Sequence, residues 1–77
     1  MKYIEYLEKR YSNYKFNELA HVQAEAEMLK RSDNTGLQLL GESYQMAINS
    51  VLNIKDIVFL RKFAELKRML YEQKRIY

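Results

Sequence analysis

Large apolar residues recur at three- and four-residue intervals along almost the whole of this chain, and one stretch, Ser32-Asp33-Asn34-Thr35-Gly36, interrupts them with a cluster of turn-forming types. That spacing is the period of an α-helix with a buried face and a wet one. It is clearest in residues 54–77. At 100° per residue, Phe59, Phe63, Leu66, Leu70 and Tyr77 fall within roughly 40° of one line. Ile57, Leu60, Ala64 and Tyr71 add an apolar stripe on one side of this seam, and Val58, Met69 and Ile76 add another on the opposite side. What stays polar is a strip of Arg61, Glu65, Arg68, Glu72 and Arg75, alternating in sign at i+3 and i+4 steps as a solvated, ion-paired face does. A surface helix ordinarily buries an arc a little over about 100° wide. The pattern therefore predicts a long final helix covered from more than one side.

Upstream, Ile4, Leu7, Tyr11 and Tyr14 place a first helix over residues 2–11, with Ser12-Asn13 as the break, since both side chains compete for backbone hydrogen bonds. A second helix is expected over 17–31, capped by Asn17, with Glu18 in its first turn and Lys30 and Arg31 in its last. Its apolar face is Leu19, Val22, Ala26 and Leu29, and its small Ala20, Ala24 and Ala26 allow a neighbour to approach closely. A third helix is expected over 35–52, with Thr35 and Gln38 matching a capping box. Leu37, Leu40, Tyr44, Ile48, Val51 and Leu52 make one face of it, while Leu39 and Met46 lie opposite. Apolar residues on two sides suggest a helix between others or against a second subunit.

Neither Gly nor Pro separates the third helix from the fourth, expected over 54–75. Either Asn53 caps a new helix with Asp56 at its third position, or the two run together. A continuous helix would be on the order of 60 Å long and would need an elongated dimer to cover it. The fold class is all-α: one domain, residues 1–77, a small antiparallel bundle of three to four helices with a long C-terminal helix.

Composition narrows the chemistry more than it extends it. A single core in a chain of 77 residues contributes roughly 3–5 kcal/mol net, and the usual staples are missing. There is no Cys, which excludes disulfides and thiolate metal sites, and one His excludes a multi-His zinc site within the chain. Glu5, Glu8, Lys9 and Arg10 stand where a secretion signal needs an apolar run, and no apolar run is long enough to span a membrane. A cytoplasmic protein is expected. Residues 55–77 carry seven Lys/Arg against three Asp/Glu, so the net charge of +3 resides in the final helix.

Glu18-x-x-His21 followed by Glu25 resembles the local element with which ferritin-like bundles hold paired metals. With a single His the likeness ends at those three residues, so neither a metal nor another cofactor is expected. No serine has a triad context, and a bundle this small leaves little volume for a substrate pocket. An enzyme with a small-molecule substrate is not expected. Four of the seven tyrosines fall in the first fourteen residues, which suits a helix half-buried at a core edge or a recognition surface.

Five basic doublets make nucleic acid the second functional reading, but Glu65 and Glu72 interrupt the arginine strip and would repel phosphate. A helix-turn-helix around residues 32–36 would offer Gln38, Gln45 and Asn49 to bases with no cation between Arg31 and Lys55 to anchor it. The first reading is a small non-enzymatic regulator or adaptor that binds protein, itself a homodimer. Its assembly residues are Phe59, Phe63, Leu66, Leu70, Leu39 and Met46. Its basic partner-facing surface is Arg61, Lys62, Lys67, Arg68, Lys74 and Arg75.

Overall fold

Each periodic stretch forms a helix, and side chains that accept from backbone amides mark where the second, third and fourth start. The computed structural model describes residues 2–75, with the side chains of Lys74 and Arg75 excepted. It contains α1 (Lys2–Tyr11), α2 (Phe16–Lys30), α3 (Thr35–Leu52) and α4 (Ile57–Arg75). Among the described residues there is no strand. Of the expected final stripes, Ile76 and Tyr77 lie outside the described residues.

The third helix starts at Thr35 as expected, while the starts of α2 and α4 differ from the sequence expectation, and at all three the capping acceptor comes from a different residue. α2 begins at Phe16 rather than after Asn17, because the Glu18 carboxylate accepts from the Lys15 backbone amide at 2.9 Å and Lys15 has no acceptor of its own. At α3 the cap is Asn34, not Thr35. The Asn34 side-chain Oδ1 accepts from the Leu37 amide at 3.1 Å, while the Gln38 side chain donates to the Ser32 carbonyl instead of closing a capping box. At α4 the cap is Asp56, whose carboxylate accepts from the Phe59 amide at 2.9 Å, rather than Asn53. The chain leaves α3 through the turn bonds Ile54 N to Val51 O and Lys55 N to Leu52 O, so the third and fourth helices are separate.

Side by side, the helices stand in the order α1, α3, α2, α4, because the extensive contacts join α1 to α3, α3 to α2, and α2 to α4. The Cα atoms span 38 × 35 × 14 Å. Helices pack about 8–10 Å apart, so four in a row account for the breadth and the bundle is a flat slab. α3 runs antiparallel to α2: Gly41 lies against Ala26 and Leu29, and Gln45 further along reaches back to Gln23. α4 runs the same way as α2, with Lys62 over Phe16 at one end and Tyr71 beside Gln23 nearer the other.

The core lies along the middle of the slab. Leu19, Ala20 and Ala26 of α2 meet Ala47, Ile48 and Val51 of α3, with Leu7 and Tyr11 entering from α1 and Phe63 from α4. Its tightest point is Gly41. A Cβ there would stand 2.8 Å from the Leu29 Cβ and 2.9 Å from both the Ala26 carbonyl oxygen and the Lys30 nitrogen. Two of those three atoms are backbone, so neither helix can yield by turning a side chain. Beside this contact Gln23, buried to 4 % exposure, exchanges amide hydrogen bonds in both directions with Gln45. Lys30 donates to Gln45 at 3.0 Å and pairs with Glu27 at 2.9 Å. Among the described residues no buried side-chain nitrogen or oxygen lacks a partner.

All three phenylalanines carry a lysine over the ring. Lys62 stands 5.5 Å from the Phe16 centroid, Lys55 5.1 Å from Phe59 and Lys67 5.7 Å from Phe63. Each such contact contributes about 0.5–1 kcal/mol at exposed sites, and the aliphatic stems shield the rings from water. Lys55 also donates to the Ser12 carbonyl at 2.9 Å, fastening the α3–α4 turn to the α1–α2 turn.

Gly41→Ala should lower stability even though Ala is the better helix former. Overpacking costs about 1–3 kcal/mol, of which the propensity gain offsets roughly 1, so thermal denaturation followed by circular dichroism should show Tm lower by roughly 5–10 °C. Phe63, at 4 % exposure, should be costlier to truncate. Phe63→Ala removes about 3–5 kcal/mol, as much as a chain of this size has to lose, and the helical signal at 222 nm should be largely gone at 25 °C.

Candidate functional site

The sequence placed two sets of residues at an interface, and the fold divides both. Of the assembly set, Phe63 is buried in the core of its own chain, and Phe59, Leu66 and Leu70 are half-buried against that core. Leu39 and Met46 stand clear of it, 58 % and 56 % exposed on the outer side of α3. Of the basic set, Lys62 and Lys67 lie across phenylalanine rings, which gives them a packing role. Arg61 and Arg68 are exposed. The nearest acid to Arg68 is Glu72, at 3.9 Å and with both side chains mostly in water, so the pair adds little. The Lys74 and Arg75 side chains lie outside the described residues.

As the last helix of the row, α4 is covered by α2 alone along most of its length. The second cover that its wide apolar arc predicted is absent from its own chain. Ile57, Val58 and Met69 are each more than half exposed, and Ile54 in the preceding turn is 73 % exposed. Three β-branched side chains thus stand in water where the chain turns from α3 into α4.

A second candidate lies at the opposite edge of the slab, where tertiary packing gathers the N-terminal tyrosines with residues of α2 and α3. α1, α2 and α3 enclose a cleft of about 220 Å³. Five of the seven tyrosines line it: Tyr3, Tyr6, Tyr11, Tyr14 and Tyr44. Leu7 and Val22 contribute apolar surface, and Arg10 and Glu25 bring one charge of each sign. The ring of Tyr11 stands edge-on to Tyr44 with centroids 6.3 Å apart, and tilted against Tyr14 at 5.2 Å, geometries that the ring quadrupoles favour. Arg10 donates through Nε to the Tyr14 hydroxyl at 3.0 Å and through a terminal nitrogen to the Tyr6 hydroxyl at 3.4 Å. Those bonds raise the pKa of the guanidinium, and among the described residues no carboxylate lies within ion-pair distance of it.

The sequence signal for this cleft was Tyr3, Tyr6 and Arg10, which share one helical stripe at i, i+3 and i+7. Nothing local pointed to Glu25 or Tyr44, which tertiary packing brings in. Glu18, His21 and Glu25 share a stripe of α2 but have separate surroundings: Glu18 caps the helix, His21 is exposed, and Glu25 lines the tyrosine cleft. Among the described residues no group of three or more His, Cys, Asp or Glu is placed to hold a metal ion. No helix among them is long and apolar enough to cross a membrane.

Burial holds the Tyr11 phenol neutral, with its pKa pushed up to about 12, and burial also raises the pKa of Tyr44 and of Tyr71 on α4. The neutral phenol is favoured in the fold, so this stabilisation is complete below pH 10, the pKa of an unfolded tyrosine, and is lost as pH rises towards 12. For Tyr11 it amounts to about 2–3 kcal/mol. Urea unfolding at pH 8 and pH 11 should show the wild type losing stability between them, and Tyr11→Phe losing measurably less.

No protein-family model, curated protein or solved structure matches this chain.

Proposed function

We propose that this chain is a small non-enzymatic adaptor or regulator that acts by binding protein, beginning with a second copy of itself along α4. The observation that carries this reading is the number of large apolar side chains left in water around a core that is already closed. Leu39, Met46, Ile54, Ile57, Val58 and Met69 are all more than half exposed, and Ile54, Ile57 and Val58 follow one another within five residues at the start of α4, the kind of exposed apolar surface that marks an interaction site.

The polar strip between the apolar flanks of α4 favours a like partner. Along it the charges run Arg61, Glu65, Arg68, Glu72. When two such helices pair antiparallel about a twofold axis, Arg61 meets Glu72 of the other copy and Glu65 meets Arg68, so each of these four charges faces its opposite. A twofold interface is self-complementary in this way, and ion pairs of this kind fix register and orientation more than affinity. The outer side of α3, with Leu39 and Met46, stays open for a different protein.

Size exclusion with light scattering at high micromolar concentration should give twice the chain mass. Glu65→Lys and Arg68→Glu should each weaken the dimer, and the double variant should restore it, because the swapped charges meet again. A monomer throughout, or a double variant no better than the singles, would remove the α4 pairing. Binding to arbitrary duplex DNA, with log K falling linearly as log salt rises, would favour the nucleic-acid reading instead.

A further inference from the structure

We propose that the tyrosine-lined cleft between α1, α2 and α3 is a binding site for a small aryl oxyanion, a carboxylate or phosphate carried on a single aromatic ring. The rim is rich in hydrogen-bond donors that the fold does not use. Arg10 spends its Nε on Tyr14 and one terminal N–H on Tyr6, which orients the guanidinium and leaves three of its five N–H donors without a protein acceptor among the described residues. A phenol oxygen that accepts from a guanidinium keeps its own proton to donate, and accepting makes it the stronger donor. Tyr6, Arg10 and Tyr14 therefore form a connected set with spare protons and one positive charge, the arrangement that recognises an oxyanion.

The walls argue for the ring. Tyr11 touches Tyr14 and Tyr44 at centroid distances of 5.2 and 6.3 Å, and all three line the cleft with Leu7 and Val22, so a flat apolar body meets a continuous aromatic and aliphatic wall. About 220 Å³ is the room taken by roughly seven liquid waters at about 30 Å³ each, which admits one six-membered ring and its anionic group. The high pKa of Tyr11 keeps its hydroxyl a donor through the physiological range. Glu25, on the far lining of the cleft, opposes anions and gives the reading a sign that can be tested.

The chain has no tryptophan, so its intrinsic fluorescence comes from tyrosine alone, and most of its tyrosines line the cleft. Titration with phenyl phosphate should change that emission saturably, with Kd on the order of 1 mM for a ligand of this size. It should also shift the ring-proton resonances of Tyr11 and Tyr44. Inorganic phosphate should bind more weakly, and benzylamine, of similar shape but positive, should not compete. Arg10→Gln, at a fully exposed position, should weaken phenyl phosphate by about tenfold or more, whereas Glu25→Gln should tighten it about two- to threefold. Unchanged affinity in Arg10→Gln would overturn the proposal. So would weaker anion binding in Glu25→Gln, preferential binding of benzylamine, or no saturable response at concentrations about tenfold above that Kd.

Discussion

The contact at Gly41 sets the spacing of the whole slab. Because the α3 backbone meets the Ala26 carbonyl and the Lys30 nitrogen of α2 with no room for a methyl group between, the two central helices run closer than side-chain packing usually allows. That proximity brings Ala20 and Ala26 against Ala47 and Ile48 and lets two glutamine side chains, Gln23 and Gln45, reach each other across the joint. The same proximity makes register unambiguous. A slide of one turn along α2 would part the reciprocal amides, leaving the buried Gln23 its Glu27 partner on the same helix and its own amide oxygen orphaned at a cost of about 1–3 kcal/mol. Steric closeness and polar pairing thus select the same alignment.

From that centre outward the chemistry of burial changes. α4 is joined to α2 by phenylalanines with lysines laid over them, and α1 to α3 by tyrosines that touch at their edges and keep their hydroxyls towards a cleft. Both are ways of closing a seam that water still reaches. Lys55 in the turn before α4, and Lys62 and Lys67 within it, act as lids on rings, which leaves Arg61, and Arg68 in its weak pair with Glu72, as the described arginines of the helix that face water. The buried edge of α4 thus has its cover within the chain, whereas its other edge leaves Ile57, Val58 and Met69 in water.

Helical periodicity was legible because each buried arc is written in the spacing of its own residues, as Leu19, Val22 and Ala26 or Phe59, Phe63 and Leu66 illustrate. Helix starts were legible only to within a residue or three, since Glu18, Asn34 and Asp56 each cap by reaching to an amide, and several neighbours carried equally suitable acceptors. The order of helices across the slab was not legible. An arc states how much of a helix is covered but not by what, so the wide arc of α4 read as two covers where the chain supplies one. The tyrosine cleft was half legible: Tyr3, Tyr6 and Arg10 share a stripe, but their joint meaning depends on Tyr44, which lies thirty residues beyond the α1–α2 turn. Gly41 gave no signal, because a lone glycine inside a helix looks the same whether it weakens the helix or admits a neighbour.

Placing the helices in the order α1, α3, α2, α4 has a kinetic consequence. The central pair is one hairpin joined by the short turn at residues 31–34 and needs only local closure, whereas each outer helix docks on a helix that is not its sequence neighbour. Either outer helix can detach while the hairpin persists, so opening is hierarchical, and amide protons of α2 and α3 outlast those at the rims. The Lys55 ammonium on the Ser12 carbonyl is then a latch between the two peripheral elements. It couples their release, so that the protein's two candidate binding edges loosen and tighten together.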